Sequence, residues 1–219
     1  MNAWYRCLAV SLISRQYQHA KETIDAVTFE RAFAIRELRI YNQHMVLKPQ
    51  DIVVVLKLLG YEGGRPSFAQ IAKDLVMSPS EVHAAVKRAE AARLLHGPEM
   101  SNRPNVSALE EFLLHGIKYA FPAERGGPSR GIPTGYAATP LNRLIAPGDE
   151  PIPVWPFAEG KKRGIAFAPL YKMAPVAALK DPLLYEELAL IDAIRDGRAR
   201  ERKLAEQELV KILRKKSDG

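Results

Sequence analysis

The sequence predicts a mainly α-helical protein, and three observations indicate this class. Apolar residues recur at helical spacing through most of the 219 residues. Several of these stretches open on Ser or Asp with Pro or Glu just inside, which is typical of a helix N-terminus. Proline and glycine are instead concentrated between residues 122 and 156, which hold eight of the sixteen prolines. We therefore expect helices on both sides of an irregular Pro/Gly-rich segment with room for a short β-hairpin.

The first 47 residues contain neither Pro nor Gly, and two apolar stripes in them predict two helices. Such stripes, with no obvious partner within the chain, are typical of an interface between protein copies. Alternatively, Met45 is the biological start, and residues 1–44 are an extension that is poorly ordered or packs only opportunistically. The stripes comprise Trp4, Leu8, Leu12, Phe29, Phe33 and Leu38.

A strongly apolar helix is predicted next, beginning at Lys48-Pro49-Gln50-Asp51 and ending at Gly60. Its sequence is too apolar for a surface helix, so we expect it to be the central core helix of a small domain. The residues expected in the core are Ile52, Val53, Val55, Leu56 and Leu59.

Two further helices, joined by a tight turn, are predicted between Pro66 and Gly97. Ser67 caps the first, with Gln70 placed to complete a capping box, and this helix runs to Leu75. The second has Ser78 as its cap, Pro79 at the first helical position and Glu81 at the third. The turn is therefore expected at residues 76–78.

The second of these helices has one apolar and one polar face. Val82, Ala85, Val86 and Ala89 cluster within about 100° and predict the buried stripe. The opposite face is expected to be exposed, short-chained, polar and basic. Small residues allow close approach to DNA, hydroxyl or imidazole groups can contact base edges, and Lys or Arg can hold phosphates. The residues of this face are Ser80, His83, Ala84, Lys87, Arg88 and Ala91.

The pattern from Asp51 to Gly97 resembles the winged helix-turn-helix domain of bacterial MarR-like transcriptional regulators. The resemblance covers roughly a third of the chain and implies that the helix beginning at Pro79 is the DNA recognition helix. It further implies a strand at residues 94–96 and a wing at residues 97–106. MarR-like proteins dimerise through helices that flank this domain, so the resemblance implies a homodimer on double-stranded DNA. The DNA-binding residues expected on this basis are Ser78, Ser80, His83, Ala84, Lys87, Arg88 and Arg103.

After the wing, Ser107 is predicted to cap a helix, with Glu110 in a capping box and Pro122 after its end. The Pro/Gly density of residues 122–156 predicts an extended, irregular segment. Its many apolar residues imply that it lies against a folded surface.

Basic residues within and after this segment suggest phosphate contacts. Gly-flanked arginines, as in ERGGPSRGIPTG, can present guanidinium and backbone N–H groups to a phosphate, although a turn-rich packing segment is the alternative. The Lys161-Lys162-Arg163 triplet is predicted to be a basic turn before a short strand, which would form a hairpin with PIPVWPF. The residues proposed for phosphate contact are Arg125, Arg130, Lys161, Lys162 and Arg163.

Two helices are predicted at the C-terminal end. Asp181 caps the first, which has Pro182 at its first position and runs to Gly197. The second spans residues 198–216, and arginines crowd its beginning, where the helix dipole disfavours cations. These arginines are either a solvated face or the contact for an anionic partner.

Composition limits the classes of function. The excess of 32 Lys and Arg over 25 Asp and Glu gives a net charge of +7, which favours a polyanionic partner. Cys7 is the single cysteine, so a cysteine-based metal site is excluded, and a reducing, cytoplasmic location fits. We expect no cofactor, no metal and no enzymatic activity, because no nucleophile, carboxylate pair or metal-ligand spacing has a local signature. No apolar run approaches the roughly 20 residues of a membrane span.

The leading hypothesis is a sequence-specific DNA-binding regulator of the repressor type. The alternative is an antitoxin-like or other interaction module whose C-terminal half binds a companion protein. The resemblance also allows a small-molecule effector site, but no residues of such a site can be identified from the sequence. The expected organisation is an N-terminal helical extension (1–47), a winged helix-turn-helix domain (48–121), a Pro/Gly-rich segment (122–180) and a C-terminal helical pair (181–219).

Overall fold

The computed structural model describes residues 46–61, 66–97, 103–146 and 148–217. Residues Leu47–Gly219 form one compact unit. Its architecture is mainly α-helical with one small three-stranded sheet, in agreement with the predicted class. The two helices predicted before Met45 lie outside the described residues.

Three helices begin the compact unit and have the order that the sequence predicts. The first of the three is almost completely buried and packs against the other two, as expected for a core helix. Leu59 is only partly buried, while the other four predicted core residues are fully inaccessible. The helices are α1 (Pro49–Leu59), α2 (Phe68–Leu75) and α3 (Pro79–Ala91).

The N-terminal caps of α2 and α3 differ in one respect. Ser67 Oγ accepts a hydrogen bond from the Gln70 N–H at 3.1 Å, so the predicted cap of α2 is confirmed. The Gln70 side chain donates to Asp74 at 2.8 Å instead of returning to the cap, and the predicted capping box is wrong. At α3 the box is complete, because Ser78 and Glu81 exchange hydrogen bonds as expected.

The helix after the predicted wing begins two residues earlier than the expected cap at Ser107 predicts. Asn105 Oδ1 accepts a hydrogen bond from the Ala108 N–H at 3.2 Å, so Asn105 is the cap and the prediction of Ser107 is wrong. The helix includes one π-helical turn and ends before Pro122, as predicted. Its parts are α4 (Val106–Glu111), the π-helical turn (Phe112–Gly116) and α5 (Ile117–Ala120).

The Pro/Gly-rich segment forms much of the sheet, which corrects the prediction of an irregular segment. Strand β1 (Arg125–Pro133) pairs antiparallel with both β2 (Pro153–Pro156) and β3 (Lys162–Phe167). Since both partners run against β1, they run parallel to each other, and the three strands close on themselves. The predicted antiparallel hairpin between the strands now called β2 and β3 is therefore wrong.

Glycine residues allow the three strands to pack closely against one another. A Cβ atom on Gly131 would lie 1.9 Å from the Trp155 carbonyl oxygen, and one on Gly164 would lie 2.0 Å from that of Ile152. These distances are far below van der Waals contact, so any side chain would separate the strands. The glycines that suggested turns from the sequence are instead points of backbone contact.

The C-terminal helices match their predicted positions. Asp181 Oδ1 accepts a hydrogen bond from the Leu184 N–H at 3.1 Å, which confirms the cap. The apolar stripes of the last two helices are buried within the chain and pack against each other. These stripes are therefore not free for a dimer interface. A short helix that was not predicted, α6 (Ala174–Ala178), precedes the two predicted ones, α7 (Pro182–Asp196) and α8 (Ala199–Ser217).

A buried polar cluster ties α7 to the sheet. The Asp192 carboxylate is 2% exposed and accepts hydrogen bonds from Thr134, Trp155 and Arg195 at 2.7–2.8 Å. Burial raises the pKa of this carboxyl group, and the three donors act in the opposite direction. Arg195 also donates to the backbone carbonyl of Phe121, so the cluster joins α7, the sheet and the end of α5.

Polar contacts also join the helix pair α2–α3 to the C-terminal part. Lys57 Nζ lies 2.8 Å from Asp181 Oδ2 and 3.3 Å from Asp74 Oδ2. The Tyr171 hydroxyl donates to the Val76 carbonyl oxygen at 2.8 Å, in the turn between α2 and α3. The position of that turn is thus fixed by residues about a hundred positions away.

The buried Glu187 on α7 predicts a pH dependence of stability. Burial raises the pKa of its carboxyl group from 4.5 to about 7, although Lys216 Nζ lies 2.6 Å away. The folded state therefore retains this proton at a higher pH than the unfolded chain does. The free energy of unfolding should fall by about 3 kcal/mol as the pH rises from about 4.5 to 7, and then level off.

Glu187→Gln should remove this slope. Chemical denaturation of both proteins between pH 4.5 and 8 would measure the free energy of unfolding. Glu186→Gln, at the neighbouring position of α7, is the matched control and should retain most of the wild-type slope. Parallel curves for the wild type and Glu187→Gln would contradict the assignment.

Candidate nucleic-acid interface

The turn between α2 and α3 has a defined backbone geometry. Val76 adopts a left-handed conformation with φ 56°, and the Met77 N–H donates to the Ala72 carbonyl oxygen at 2.9 Å. Ser78 then caps α3, and the hydrogen bond from its N–H lowers the pKa of Glu81. The α3 axis is thereby fixed relative to α2 by local hydrogen bonds.

One face of α3 is exposed, as the sequence predicts. Ser80, His83, Lys87 and Ala91 are all exposed, and Ala84 between them is half-buried. The predicted opposite stripe is buried, with Val82, Ala85 and Ala89 fully inaccessible and Val86 3% exposed.

Two side chains of this face have local contacts. The His83 ring meets the Phe68 ring edge-on, with centroids 5.4 Å apart, so α2 orients the imidazole. Ser80 Oγ lies 3.0 Å from Ser78 Oγ, which is itself engaged at the cap. Ser78 therefore stabilises the start of α3, whereas Ser80 and His83 are exposed residues of the face.

Arg88 is not on the exposed face, and its predicted placement there is wrong. Its guanidinium group is buried and forms two hydrogen bonds with the Asp51 carboxylate, Nε at 2.8 Å and Nη2 at 2.6 Å. Asp51 is fully buried and also accepts a hydrogen bond from the Lys48 N–H. Arg88 thus fastens α3 to the start of α1, and Lys87 is the cation that remains on the exposed face.

Residues on both sides of the predicted wing tip form a short antiparallel contact. The His96 N–H donates to the Arg103 carbonyl oxygen at 2.8 Å, and Leu95 bridges to Pro104. Arg103 is exposed beside this contact. The tip itself, residues 98–102, lies outside the described residues.

An additional cation near this site was missed by the sequence analysis. Arg93 is exposed just after α3 and has a left-handed backbone, with φ 61°. The helical wheel of α3 could not place it, because its side chain follows the end of the regular helix.

Four of the five proposed phosphate contacts lie on strands of the sheet, and the fifth, Lys161, directly precedes one. Arg125 and Arg130 are on β1, while Lys162 and Arg163 begin β3 directly after Lys161. All five are exposed. Arg125 forms an ion pair with Asp196, so it is already partnered.

The described ranges also bear on metal binding and on membrane-spanning helices. Within residues 46–61, 66–97, 103–146 and 148–217, no three His, Cys, Asp or Glu side chains are grouped as metal ligands require. Within the same part of the chain, no helix is long and apolar enough to cross a membrane.

Comparisons with known proteins add no assignment. The chain matches no protein-family model, and searches of curated proteins and of solved structures gave no significant match. A functional proposal for this protein therefore depends on its own residues.

Proposed function

We propose that this protein is a sequence-specific DNA-binding regulator, with α3 as a recognition helix of the MarR-like winged helix-turn-helix kind. The observation that carries the proposal is the exposed face of α3, where Ser80, His83 and Lys87 lie beside the small residues Ala84 and Ala91. Small side chains allow a helix to enter the major groove, and the polar ones match base edges and phosphates.

The anchoring of α3 also favours this role. A recognition helix must hold its side chains in a fixed register on the duplex. The Ser78–Glu81 capping box and the buried Asp51–Arg88 ion pair both restrain α3. The excess of basic residues gives the long-range attraction that DNA binding requires.

The direct test is selection from a pool of random duplexes at two salt concentrations, with light scattering to measure the mass of the protein. Enrichment of a palindromic site by a dimer would support the proposal and give the half-site spacing. Weak binding to all sequences, lost evenly as salt rises, would contradict it.

Substitutions on α3 should separate phosphate contact from base contact. Lys87→Ala should weaken binding to every duplex and reduce the salt slope by about one unit. Ser80→Ala and His83→Ala should instead change the preferred sequence, at a cost of about 1–3 kcal/mol for the selected site.

The matched control is Lys203→Ala, an exposed cation on α8, which should leave binding nearly unchanged. Competition binding with selected and scrambled duplexes distinguishes the two effects. An equal loss on all sequences for the three α3 variants would eliminate the base-contact roles.

A second candidate, binding of a companion protein by the C-terminal half, has one observation in its favour. Leu179 and Leu183, at the junction of α6 and α7, are 60% and 57% exposed. Their side chains leave apolar area in contact with water. A contiguous exposed apolar patch is typical of protein contact. This role is compatible with DNA binding, as in antitoxins that repress their own operon.

A further inference from the structure

A second basic surface lies on the three-stranded sheet and shares no residue with α3. It comprises Arg130 on β1, Arg163 on β3 and Lys161 just before β3, all of them exposed, and we refer to it as the basic sheet face. Arg130 lies directly opposite Arg163 in the antiparallel register of β1 and β3. Residues directly opposite in such a pair share a face, so the two guanidinium groups extend from the same side of the sheet.

Like charges in directly opposed positions destabilise a sheet. Some exposed arginines elsewhere in the chain have acidic partners, such as Asp196 for Arg125 and Glu150 for Arg198. Others, such as Arg93 and Arg143, form no ion pair with a described residue, but no second arginine is placed directly opposite them in a strand pair. Among the described residues, none forms an ion pair with the cations of the basic sheet face. Glu159, the acid in the connection between β2 and β3, is also exposed but does not pair with them in that part of the chain. The repulsion is therefore not compensated within the described structure.

The backbone beneath these cations is tightly packed. A Cβ atom on Gly160 would lie 2.4 Å from the backbone of Gly131, and the contacts of Gly131 and Gly164 are closer still. Such packing fixes the positions from which the cationic side chains extend. Less conformational entropy is then lost when an anion binds than would be lost from a flexible loop.

The neighbouring surface indicates the kind of anion. Gly126, Gly127 and Pro128 are exposed beside the arginines and offer no large side chain on which a protein partner could anchor. Paired guanidinium groups match phosphate oxygens well, and a phosphate backbone needs no apolar pocket.

We propose that the basic sheet face binds the phosphate backbone of duplex DNA. This inference extends the proposed function, on which it rests, by adding a sequence-independent contact to the one made by α3. The anion relieves the Arg130–Arg163 repulsion, so the sheet contributes affinity and salt dependence without contributing to sequence preference.

The test compares Arg130→Gln/Arg163→Gln with a control of the same charge change, Lys203→Gln/Lys215→Gln, at two exposed positions of α8. Binding to a random-sequence duplex pool is measured across a range of salt concentrations. The sheet variant should reduce the salt slope by about two units and weaken binding about 10- to 100-fold at 0.1 M salt. The control should keep a slope close to that of the wild type.

Folding must be verified in the same preparations. Removal of two opposed cations should leave the melting temperature unchanged or slightly raised, so a loss of binding cannot then be assigned to unfolding. Equal slopes for the two double variants would overturn the inference.

The failure of this inference is distinguishable from failure of the proposed function. The random pool measures backbone contact alone, whereas enrichment of a particular site measures recognition by α3. A specific site bound with an unchanged slope would reject only the sheet contact. A reduced slope without any enriched site would reject only sequence-specific recognition.

Discussion

Asp51→Ala should destabilise the protein by about 3–5 kcal/mol, because it leaves the buried Arg88 guanidinium without a counter-ion. Asp51 is fully buried, and the Arg88 side chain is 7% exposed. Among the described residues, no other acid forms an ion pair with Arg88. The substitution also removes the hydrogen bond from the Lys48 N–H at the start of α1. Urea denaturation of the full-length chain would measure the change in the free energy of unfolding.

Replacing both partners should cost less than replacing Asp51 alone. In Asp51→Leu/Arg88→Met, neither charge is left buried, and apolar side chains occupy a similar volume. The matched surface control is Glu150→Ala, which breaks the ion pair with Arg198 and should cost less than about 1 kcal/mol, because both side chains are mostly exposed. A loss below 1 kcal/mol for Asp51→Ala would contradict the buried ion pair.

The same variant links stability to the proposed function. Arg88 attaches α3 to α1, so its release should change the position of α3 relative to the rest of the unit. Asp51→Ala is therefore expected to lower affinity for a selected duplex more than Asp51→Leu/Arg88→Met does, when both are measured at a temperature where they remain folded.

Asp192→Ala is the second substitution with a large expected effect, again about 3–5 kcal/mol. It leaves the Arg195 cation, the Trp155 N–H and the Thr134 hydroxyl without their shared acceptor in the interior. Because the cluster joins α7 to the sheet, the sheet should lose its attachment to α7 first.

Trp155 provides a local reporter for this loss. In a Trp4→Phe background it is the remaining tryptophan, so its fluorescence reports on the sheet during denaturation. Asp196→Ala is the matched control one turn further along α7, where the partner Arg125 is 57% exposed. That control should cost less than about 1 kcal/mol. Similar midpoints for the Asp192 and Asp196 variants would contradict the role assigned to the cluster.

The sequence alone was sufficient for features that depend on neighbouring residues. The N-terminal ends of α2, α3 and α7 follow from the caps at Ser67, Ser78 and Asp181, because an N-cap bonds to a backbone N–H only three positions away. The buried stripes of α3, α7 and α8 follow from the 3.6-residue period.

Part of the candidate interface could be predicted for the same reason. The exposure of Ser80, His83 and Lys87 follows from helix geometry. The burial of Arg88 does not, since it depends on Asp51, 37 positions earlier in the chain. Arg93 lies beyond the last regular turn of α3, where helix periodicity no longer gives the direction of a side chain.

Only the tertiary structure decided the architecture of the Pro/Gly-rich segment. Local preference disfavours strand for proline and glycine, yet β1 exists because Gly131 admits the Trp155 carbonyl and long-range pairing provides its hydrogen bonds. The parallel arrangement of β2 and β3 follows from their shared partner β1 and not from the short connection between them. In this protein helix ends and helix faces are local properties that the sequence specifies, whereas strand pairing and buried ion pairs join distant residues that only the folded chain brings together.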